Sequence, residues 1–335
     1  MSTARPSTSV QRFVVVAIVA PLVLTVVSVA LQLIALPHVP GVIAIHWGTS
    51  GTPDGFAPSW IQPLLTVAFG LVLPLGLALT SLSGMRRGDR GGSYRLMGAL
   101  APALSTMMSV LFAWTLVMQV GLADARDAAS VVPALVVALA AAVLVGVGAW
   151  FVQPDEAPLH TSAAPKGLVL AEDERAAWFG VASMGRGAVV AIAVTCLVLV
   201  VAAVAAWLMS PDAVVAAALT VAAVVLTLAA LTTVLFRVRV DGDGLTVRSV
   251  AGLPVFRVPL DDVRAVAVAD VTPMGEFGGY GIRSTPGRFG VVTRRGEAIE
   301  VERMSGRRFV VTAGDAETGA ALLQALVARD AVMRS

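Results

Sequence analysis

The sequence predicts a polytopic α-helical membrane protein with six transmembrane helices and a C-terminal, mainly-β domain. Of its 335 residues, 57% are hydrophobic and only 14% are charged, whereas about a quarter of the residues in a soluble protein are charged. Six long apolar runs account for the excess. Each is long enough to cross a hydrocarbon core of about 30 Å at about 1.5 Å per helical residue. This composition excludes a conventional water-soluble enzyme.

The predicted spans contain no Asp, Glu, Lys or Arg. They are Phe13–Leu36, Ile61–Leu82, Leu96–Gly121, Val131–Val152, Ala188–Met209 and Ala213–Phe236. A short basic segment, residues 1–12, precedes the first span, which is too long for a signal-peptide core, so we expect it to be retained. Because charges inside a membrane usually mark ion paths and proton relays, their absence argues against a proton-coupled transporter or pump.

The basic residues lie in alternate loops, and this predicts the orientation of the spans. Arg126 is the only basic residue in the other set of loops. By the positive-inside rule, both termini are cytoplasmic, and residues 37–60, 122–130 and 210–212 face outward. The basic residues that set this orientation are Arg5, Arg12, Arg86, Arg87, Arg90, Arg95, Lys166, Arg175 and Arg186.

The scarcity of lysine and asparagine indicates the kind of organism that produces the protein, and with it the membrane in which the protein lies. Lys166 is the only lysine, and asparagine is absent. Both amino acids use A-rich codons, so a GC-rich bacterial genome is the simplest explanation, and the cell (plasma) membrane is the expected location. The single cysteine, Cys196, lies within an apolar span and cannot form an intrachain disulfide.

After Phe236 the hydrophobic period changes from helical to alternating. More than half of all charged residues lie in this tail, residues 237–335. Seven segments predict short strands: RVRV, LTVRSV, VFRVPL, VRAVAVADV, FGVVTRRG, AIEVERM and RRFVVTAG. Gly-containing and Pro-containing segments such as TPMG predict the turns between them. A helical stripe over Ala316–Met333 follows the candidate cap Asp315.

The strand count and the terminal helix resemble those of bacterial pleckstrin-homology-like (PH-like) domains, in which a small half-open barrel is capped by a helix. The segments FGGYGIR, PLDDV and GRRFVVTAGDAETGAALLQAL are similar to members attached to bacterial membrane proteins, and the resemblance covers Phe236–Asp330. It implies a cytoplasmic PH-like domain that docks a protein partner or the inner leaflet.

The predicted external loop, residues 37–60, is the most distinctive stretch, and residues 36–56 read LPHVPGVIAIHWGTSGTPDGF. The order of His46, Trp47, Gly51, Pro53 and Asp54 resembles the motif of the family called domain of unknown function 1648 (DUF1648), over about residues 13–65. That family includes SdpI-type immunity and signalling membrane proteins. The resemblance implies a DUF1648-like transmembrane hairpin over residues 13–82, followed by spans 3 to 6 and a cytoplasmic loop, residues 153–187, within 83–236.

This chain departs from the family pattern in three respects. Gly48 occupies the position where Asn or Asp often follows the His–aromatic pair, and the Lys that often closes the motif is absent from FAPSW. An SdpI-type second membrane domain is also absent, and the PH-like tail stands in its place. The immunity function should therefore not be transferred whole.

Three interpretations of the predicted external loop remain open, with His38, His46, Trp47 and Asp54 as the candidate ligand-binding residues. His38, His46 and Asp54 recur eight residues apart and carry groups that zinc accepts, but they lack the tight spacing of strong zinc patterns. The favoured structural interpretation has Trp47 and nearby aromatic residues at the membrane interface and Gly-Thr-Pro-Asp-Gly as a turn. The third interpretation is a receptor surface for an external peptide or lipid headgroup.

Arginines of the tail form a second candidate surface, either for anionic headgroups beneath the membrane or for ion pairs with Glu297, Glu300 and Glu302. They are Arg283, Arg288, Arg294 and Arg295, together with Arg307 and Arg308. The acidic run at Glu172–Glu174 predicts a solvated face. The near-neutral charge gives no strong field for nucleic acid, and the sequence contains no recognisable catalytic, cofactor or metal motif.

The sequence therefore predicts a non-enzymatic protein that senses or binds a ligand at the external loop, or protects the envelope. Its tail is expected to dock onto a protein partner or the inner leaflet. The alternative is a membrane transporter for a neutral solute or a membrane-embedded enzyme. That alternative requires Gln32, Gln119, His38 and His46 to converge on a water-filled cavity.

Overall fold

A computed structural model describes residues 8–48, 51–171, 174–209 and 213–334. The chain divides into two compact units, Met1–Pro158 and Leu159–Ser335. Three predicted features lie outside the described residues: the basic Arg5, the acidic pair Glu172 and Asp173, and the predicted outer loop 210–212.

Six helices in the described part of the chain are long and apolar enough to cross a membrane, so this is a membrane protein, as predicted. They are α1 (Thr8–His38), α2 (Ile61–Arg86), α3 (Gly92–Val117), α4 (Val132–Val152), α5 (Arg186–Met209) and α6 (Ala213–Thr233). The predicted end of the sixth span, Phe236, is wrong, because Leu235 already belongs to a strand. Continuous hydrophobicity across the junction hides this change of backbone conformation.

The first two helices share a local irregularity, a π-helical turn that ends two residues before a proline. In α1 this turn covers Val15–Val19 and precedes Pro21, and in α2 it covers Ala68–Val72 and precedes Pro74. A proline ring clashes with the carbonyl four residues earlier and has no N–H to donate to it. The wider turn relieves this clash without breaking either helix.

Helix α3 packs against α1, α2 and α4 at the centre of the first unit. Close approach to α4 depends on small residues, because a Cβ at Gly146 would lie 3.1 Å from the Cβ of Ala103. Small residues at helix contacts are typical of membrane bundles, where they let backbones approach closely.

The loop between α1 and α2 forms a β-hairpin, which was not expected from the sequence. Its strands are β1 (Val42–Trp47) and β2 (Pro53–Pro58), and they pair antiparallel. We call this element the loop hairpin. The segment expected to be a turn, Gly51–Gly55, mostly lies in β2.

The second unit contains α5, α6 and two β-sheets. One sheet has the order β4-β5-β6-β7 and the other the order β3-β8-β11-β12-β10-β9. The strands are β3 (Thr161–Ala163), β4 (Trp178–Ser183), β5 (Leu235–Asp241), β6 (Gly244–Ser249), β7 (Val255–Val258), β8 (Val263–Val271), β9 (Gly281–Thr285), β10 (Arg288–Val292), β11 (Gly296–Arg303) and β12 (Arg308–Thr312). The predicted β-rich tail is confirmed.

Two helices complete this unit. The short α7 (Pro273–Phe277) occupies the predicted TPMG turn, and α8 (Ala316–Arg334) forms the predicted C-terminal helix. Helix α8 packs against strands of both sheets. The shared core includes Phe236, Ile299, Phe309, Leu323 and Leu326, which are all almost fully buried.

The predicted cytoplasmic loop, residues 153–187, contributes two strands to these sheets. Strand β3 pairs with β8, and β4 pairs with β5. In β4, Trp178 and Ala182 are buried while Phe179 and Val181 are exposed, which is the alternation of a strand with one covered face. The alternation spans only six residues beside a long apolar helix, so it gives a weak signal in the sequence.

Candidate functional site

The loop hairpin brings together the two most distinctive parts of its sequence motif. His46 in β1 lies opposite Gly55 in β2, with irregular register on both sides of His46. A Cβ at Gly55 would lie 2.7 Å from the Cβ of His46, closer than two such atoms can approach. Glycine is therefore required at this position if the strands are to pair.

The side chains of His46 and Asp54 contact each other on the exposed face of the loop hairpin. The imidazole Nδ1 of His46 lies 2.5 Å from Oδ1 of Asp54, and the two side chains are 70% and 51% exposed. Asp54, which was expected in a turn, thus makes a side-chain contact across the hairpin. The pair presents an imidazole and a carboxylate to solvent on a fixed backbone.

Two side chains fix the loop hairpin to the rest of the first unit. Oε1 of Gln119 accepts a hydrogen bond from the backbone N–H of Ala44 at 2.8 Å, and Nε2 donates to the Ala44 carbonyl at 3.0 Å. The indole N–H of Trp47 donates to the carbonyl of Ala129 at 3.0 Å. Because Gln119 and Ala44 are fully buried, loss of this contact would leave polar groups without water or protein partners.

The structure does not place His38 with His46 and Asp54. His38 ends α1, and its carbonyl accepts a hydrogen bond from Gly121 at 2.9 Å. Its side chain borders an apolar groove of about 620 Å³ between α1 and α3. Within the described ranges, no three His, Cys, Asp or Glu side chains lie close enough together to hold a metal ion.

Buried hydrogen bonds continue from the loop hairpin into the helices. Gln119 donates to the carbonyl of Thr115, whose hydroxyl accepts from Nε2 of Gln62 at 2.8 Å. One turn further along α2, the hydroxyl of Thr66 accepts from Nε2 of Gln32 at 2.8 Å. Sequence reasoning noted Gln32 and Gln119 but missed Gln62, which lies at the start of the second span.

The same set of hydrogen bonds reaches the middle of α1. Nε2 of Gln32 donates to the hydroxyl of Ser28, which donates to the carbonyl of Ser109 at 2.8 Å. One turn earlier, the hydroxyl of Thr25 donates to the carbonyl of Gly70 at 3.1 Å. Pro74 has no N–H to offer that carbonyl, so Thr25 supplies the missing donor.

One comparison with known proteins gives a match. Residues 23–71 match the family model described as Domain of unknown function (DUF1648). The N-terminal part of this chain carries a DUF1648 domain. The match begins within α1 and ends in the π-helical turn of α2, and so includes the whole loop hairpin. No curated protein and no solved structure matches the chain.

The DUF1648 domain therefore contains most of the contacts that define this site. His46, Asp54 and Gly55 of the motif form the pair and its close backbone approach. Gln32, Gln62 and Thr66 lie within the matched residues, whereas Gln119 and Ala129 lie outside them. The resemblance based on the His–Trp and Gly-x-Pro-Asp residues is confirmed.

The structure separates the tail arginines that the sequence suggested as one candidate surface. Arg288 is only 17% exposed, and it contacts Glu276 at 2.8 Å and Glu300 at 3.2 Å. Arg308 also contacts Glu300, at 3.2 Å. These two arginines balance buried carboxylates. Arg283 and Arg295 are exposed, and Arg294 is half-buried.

Sequence reasoning missed the third histidine, which joins this buried charge cluster. Nδ1 of His160 lies 3.0 Å from Oε2 of Glu276, and its Nε2 lies 3.4 Å from Oε2 of Glu300. The side chain of Glu276 is fully buried. Its Oε1 accepts from the backbone N–H of Thr272 at 2.8 Å. The cluster connects the segment before β3 with strands much later in the chain.

Proposed function

We propose that this membrane protein is a non-enzymatic sensor whose loop hairpin binds a ligand outside the plasma membrane, an external peptide or a lipid headgroup. The observation that carries this proposal is the exposed His46–Asp54 pair on a hairpin that Gln119 and Trp47 fix to the segment between α3 and α4. A fixed polar pair lowers the conformational entropy cost of binding.

The bonding of the buried amides favours this proposal over a neutral-solute transporter or a membrane-embedded enzyme. Gln32, Gln62 and Gln119 are almost fully buried and hydrogen bond to hydroxyl and backbone groups of neighbouring helices. His38 and His46 are exposed elsewhere. These polar side chains therefore do not line a common cavity, as a polar passage would require. We infer a structural role for the amides.

We also propose that both termini are cytoplasmic and that the second unit carries a PH-like docking module. The distribution of Arg and Lys supports this orientation. The packing of α8 against strands of both sheets is compatible with a helix-capped half-open barrel. Two features go beyond a simple helix-capped barrel. Strand β10 pairs in parallel with β12, and the sheets include β3 and β4, which precede α5.

The proposal can be tested by complementation in the organism that produces the protein. A strain lacking the gene receives the wild-type chain, His46→Ala, Asp54→Asn or the matched control His38→Ala. RNA abundance is then compared across the strains during envelope stress. We expect wild type and His38→Ala to reverse the transcript changes caused by the deletion, and the other two variants to fail.

Each variant must be present in the membrane at the wild-type level, so that a failure to complement does not reflect a loss of protein. Full reversal by both His46→Ala and Asp54→Asn would contradict a sensing role for the pair. It would leave only the structural interpretation of the loop hairpin.

A further inference from the structure

The outward face of the four-stranded sheet carries four exposed arginines. In β5 and β6, Val238, Val240 and Val247 point into the core, while alternate positions point outward. The outward arginines are Arg237, Arg239, Arg248 and Arg257. They surround a depression of about 790 Å³ on this face, which we call the arginine face.

The register places these arginines in two rows across the sheet. Arg237 lies directly opposite Arg248. In the next row, Arg239 lies opposite Thr246, which lies opposite Arg257. Like charges opposite one another destabilise a sheet. Compensation by an anion would therefore stabilise the pairing of Arg237 with Arg248.

The protein supplies only part of that compensation, because two aspartates, Asp241 and Asp243, line the depression beside the four arginines. Arg239 forms an ion pair with Asp241. Among the residues that the structure describes, no carboxylate lies within ion-pair distance of Arg237, Arg248 or Arg257. Arg248 donates instead to the carbonyl of Gly252 at 3.2 Å. The arginine face thus retains unneutralised positive charge.

Apolar side chains border the same face. Phe179 and Val181 of β4 are 72% and 50% exposed. They lie opposite Arg239 and Arg237 respectively. A surface with arginines beside exposed apolar groups matches the membrane–water interface, where phosphate groups lie next to hydrocarbon.

The chain holds the arginine face close to the ends of two membrane-spanning helices. Helix α6 has 21 residues and is about 31 Å long, which matches the hydrocarbon thickness. Arg237 follows its last residue, Thr233, by four positions, so their separation is at most about 14 Å. Before α5, the backbone N–H of Met184 donates to the carbonyl of Val234 at 3.1 Å, which keeps β4 beside β5 at this junction.

We infer that the arginine face binds anionic phospholipid headgroups of the bilayer that α5 and α6 cross. A guanidinium group matches phosphate oxygens in charge and in hydrogen-bond geometry. Lipid phosphates are the anions present at the helix ends at all times, so we favour them over an acidic protein or a nucleic acid. The assignment does not depend on the proposed role of the loop hairpin.

The test uses the purified full-length chain in a neutral detergent. Dioctanoyl phosphatidylglycerol and dioctanoyl phosphatidylcholine are titrated separately, and the midpoint of thermal unfolding is measured. We expect the anionic lipid alone to raise the midpoint of the wild-type chain. The Arg237→Gln/Arg248→Gln variant should need about tenfold more anionic lipid or greater for the same rise.

Two variants keep this result interpretable. Arg237→Lys/Arg248→Lys retains the charge and should retain most of the response, which separates charge from folding defects. Arg283→Gln/Arg307→Gln removes the same charge from two exposed positions of the candidate surface that the sequence suggested. It should respond as wild type does, because we assign the headgroups to the arginine face instead.

Three results of the lipid titrations would overturn the inference: equal midpoint shifts with the two lipids, an unchanged response in Arg237→Gln/Arg248→Gln, or an equal loss in the Arg283→Gln/Arg307→Gln control. A larger shift with a single-stranded oligonucleotide than with phosphatidylglycerol would assign the face to nucleic acid and also overturn it.

Discussion

The side-chain amide of Gln119 pairs with the backbone of Ala44 as a neighbouring strand would. Its Oε1 accepts from the Ala44 N–H at 2.8 Å, and its Nε2 donates to the Ala44 carbonyl at 3.0 Å. An isolated two-stranded hairpin is marginally stable in water. This contact, together with the full burial of Ile43, explains how the loop hairpin holds one conformation.

We predict that Gln119→Ala releases the loop hairpin from the helices. The substitution leaves the buried N–H and carbonyl of Ala44 without partners, which costs about 2–3 kcal/mol. Hydrogen–deuterium exchange should show faster exchange of the Ala44 amide. Gln119→Glu would place a carboxylate oxygen against the carbonyls of Ala44 and Thr115 in a buried position, so its effect should be at least as large. Unchanged exchange in Gln119→Ala would refute this role.

Gly55→Ala should disrupt the His46–Asp54 pair. The new methyl group would lie 2.7 Å from the Cβ of His46, so the strands must separate, and overpacking of this kind costs roughly 1–3 kcal/mol. Limited proteolysis of the loop hairpin should become faster. The matched control is Gly41→Ala, because no atom lies within 4 Å of a Cβ at Gly41. Equal proteolysis rates for the two variants would count against the close approach.

Thr25 and Pro74 should be energetically coupled. Thr25→Val removes the hydroxyl that donates to the Gly70 carbonyl, and we expect a loss of roughly 0.6–1.7 kcal/mol, the range for hydrogen bonds between membrane helices. Pro74→Ala restores a backbone N–H four residues after Gly70, so Thr25→Val should cost less in that background. A double-mutant cycle of unfolding free energies measures this difference. Additive effects would show that Thr25 does not substitute for the missing donor.

The buried charge cluster predicts a large effect of Glu276→Gln. Arg288 and His160 would lose a fully buried carboxylate partner, and breaking one side of a buried ion pair costs about 3–5 kcal/mol. The thermal unfolding midpoint should therefore fall. Glu297→Gln is the matched control, because Glu297 is exposed on β11. Similar midpoints for the two variants would show that the cluster contributes little to stability.

Hydropathy predicted the membrane-spanning helices well because each span must bury its own backbone hydrogen bonds in an apolar medium. The same signal placed the end of the sixth span too late, since Leu235 and Phe236 are apolar in a strand as they would be in a helix. It also concealed β4, whose alternation is short. The local hydrophobic pattern alone does not distinguish a strand from a helix in these two segments.

Contacts between distant residues account for what the sequence did not predict. His46 and Asp54 stood out as residue types in a motif, but their pairing depends on a hairpin register that has irregularities on both sides of His46. His160 and Glu276 are 116 positions apart, and no local pattern links them. The alternation of arginines in β5 can be read from the sequence. That Arg237 lies opposite Arg248 follows only from the strand pairing.

The most direct test of the proposed binding role is photo-crosslinking from the loop hairpin. Phe56 lies two residues from Asp54 on the same exposed side of β2, and a photoreactive phenylalanine analogue at this position would contact a bound ligand. Phe151 in α4, which is 75% exposed, is the control position. The proposal predicts a discrete adduct from position 56 in native membranes, its loss with His46→Ala or Asp54→Asn, and no such adduct from position 151. The absence of an adduct at position 56, or the same adduct at both positions, would contradict it.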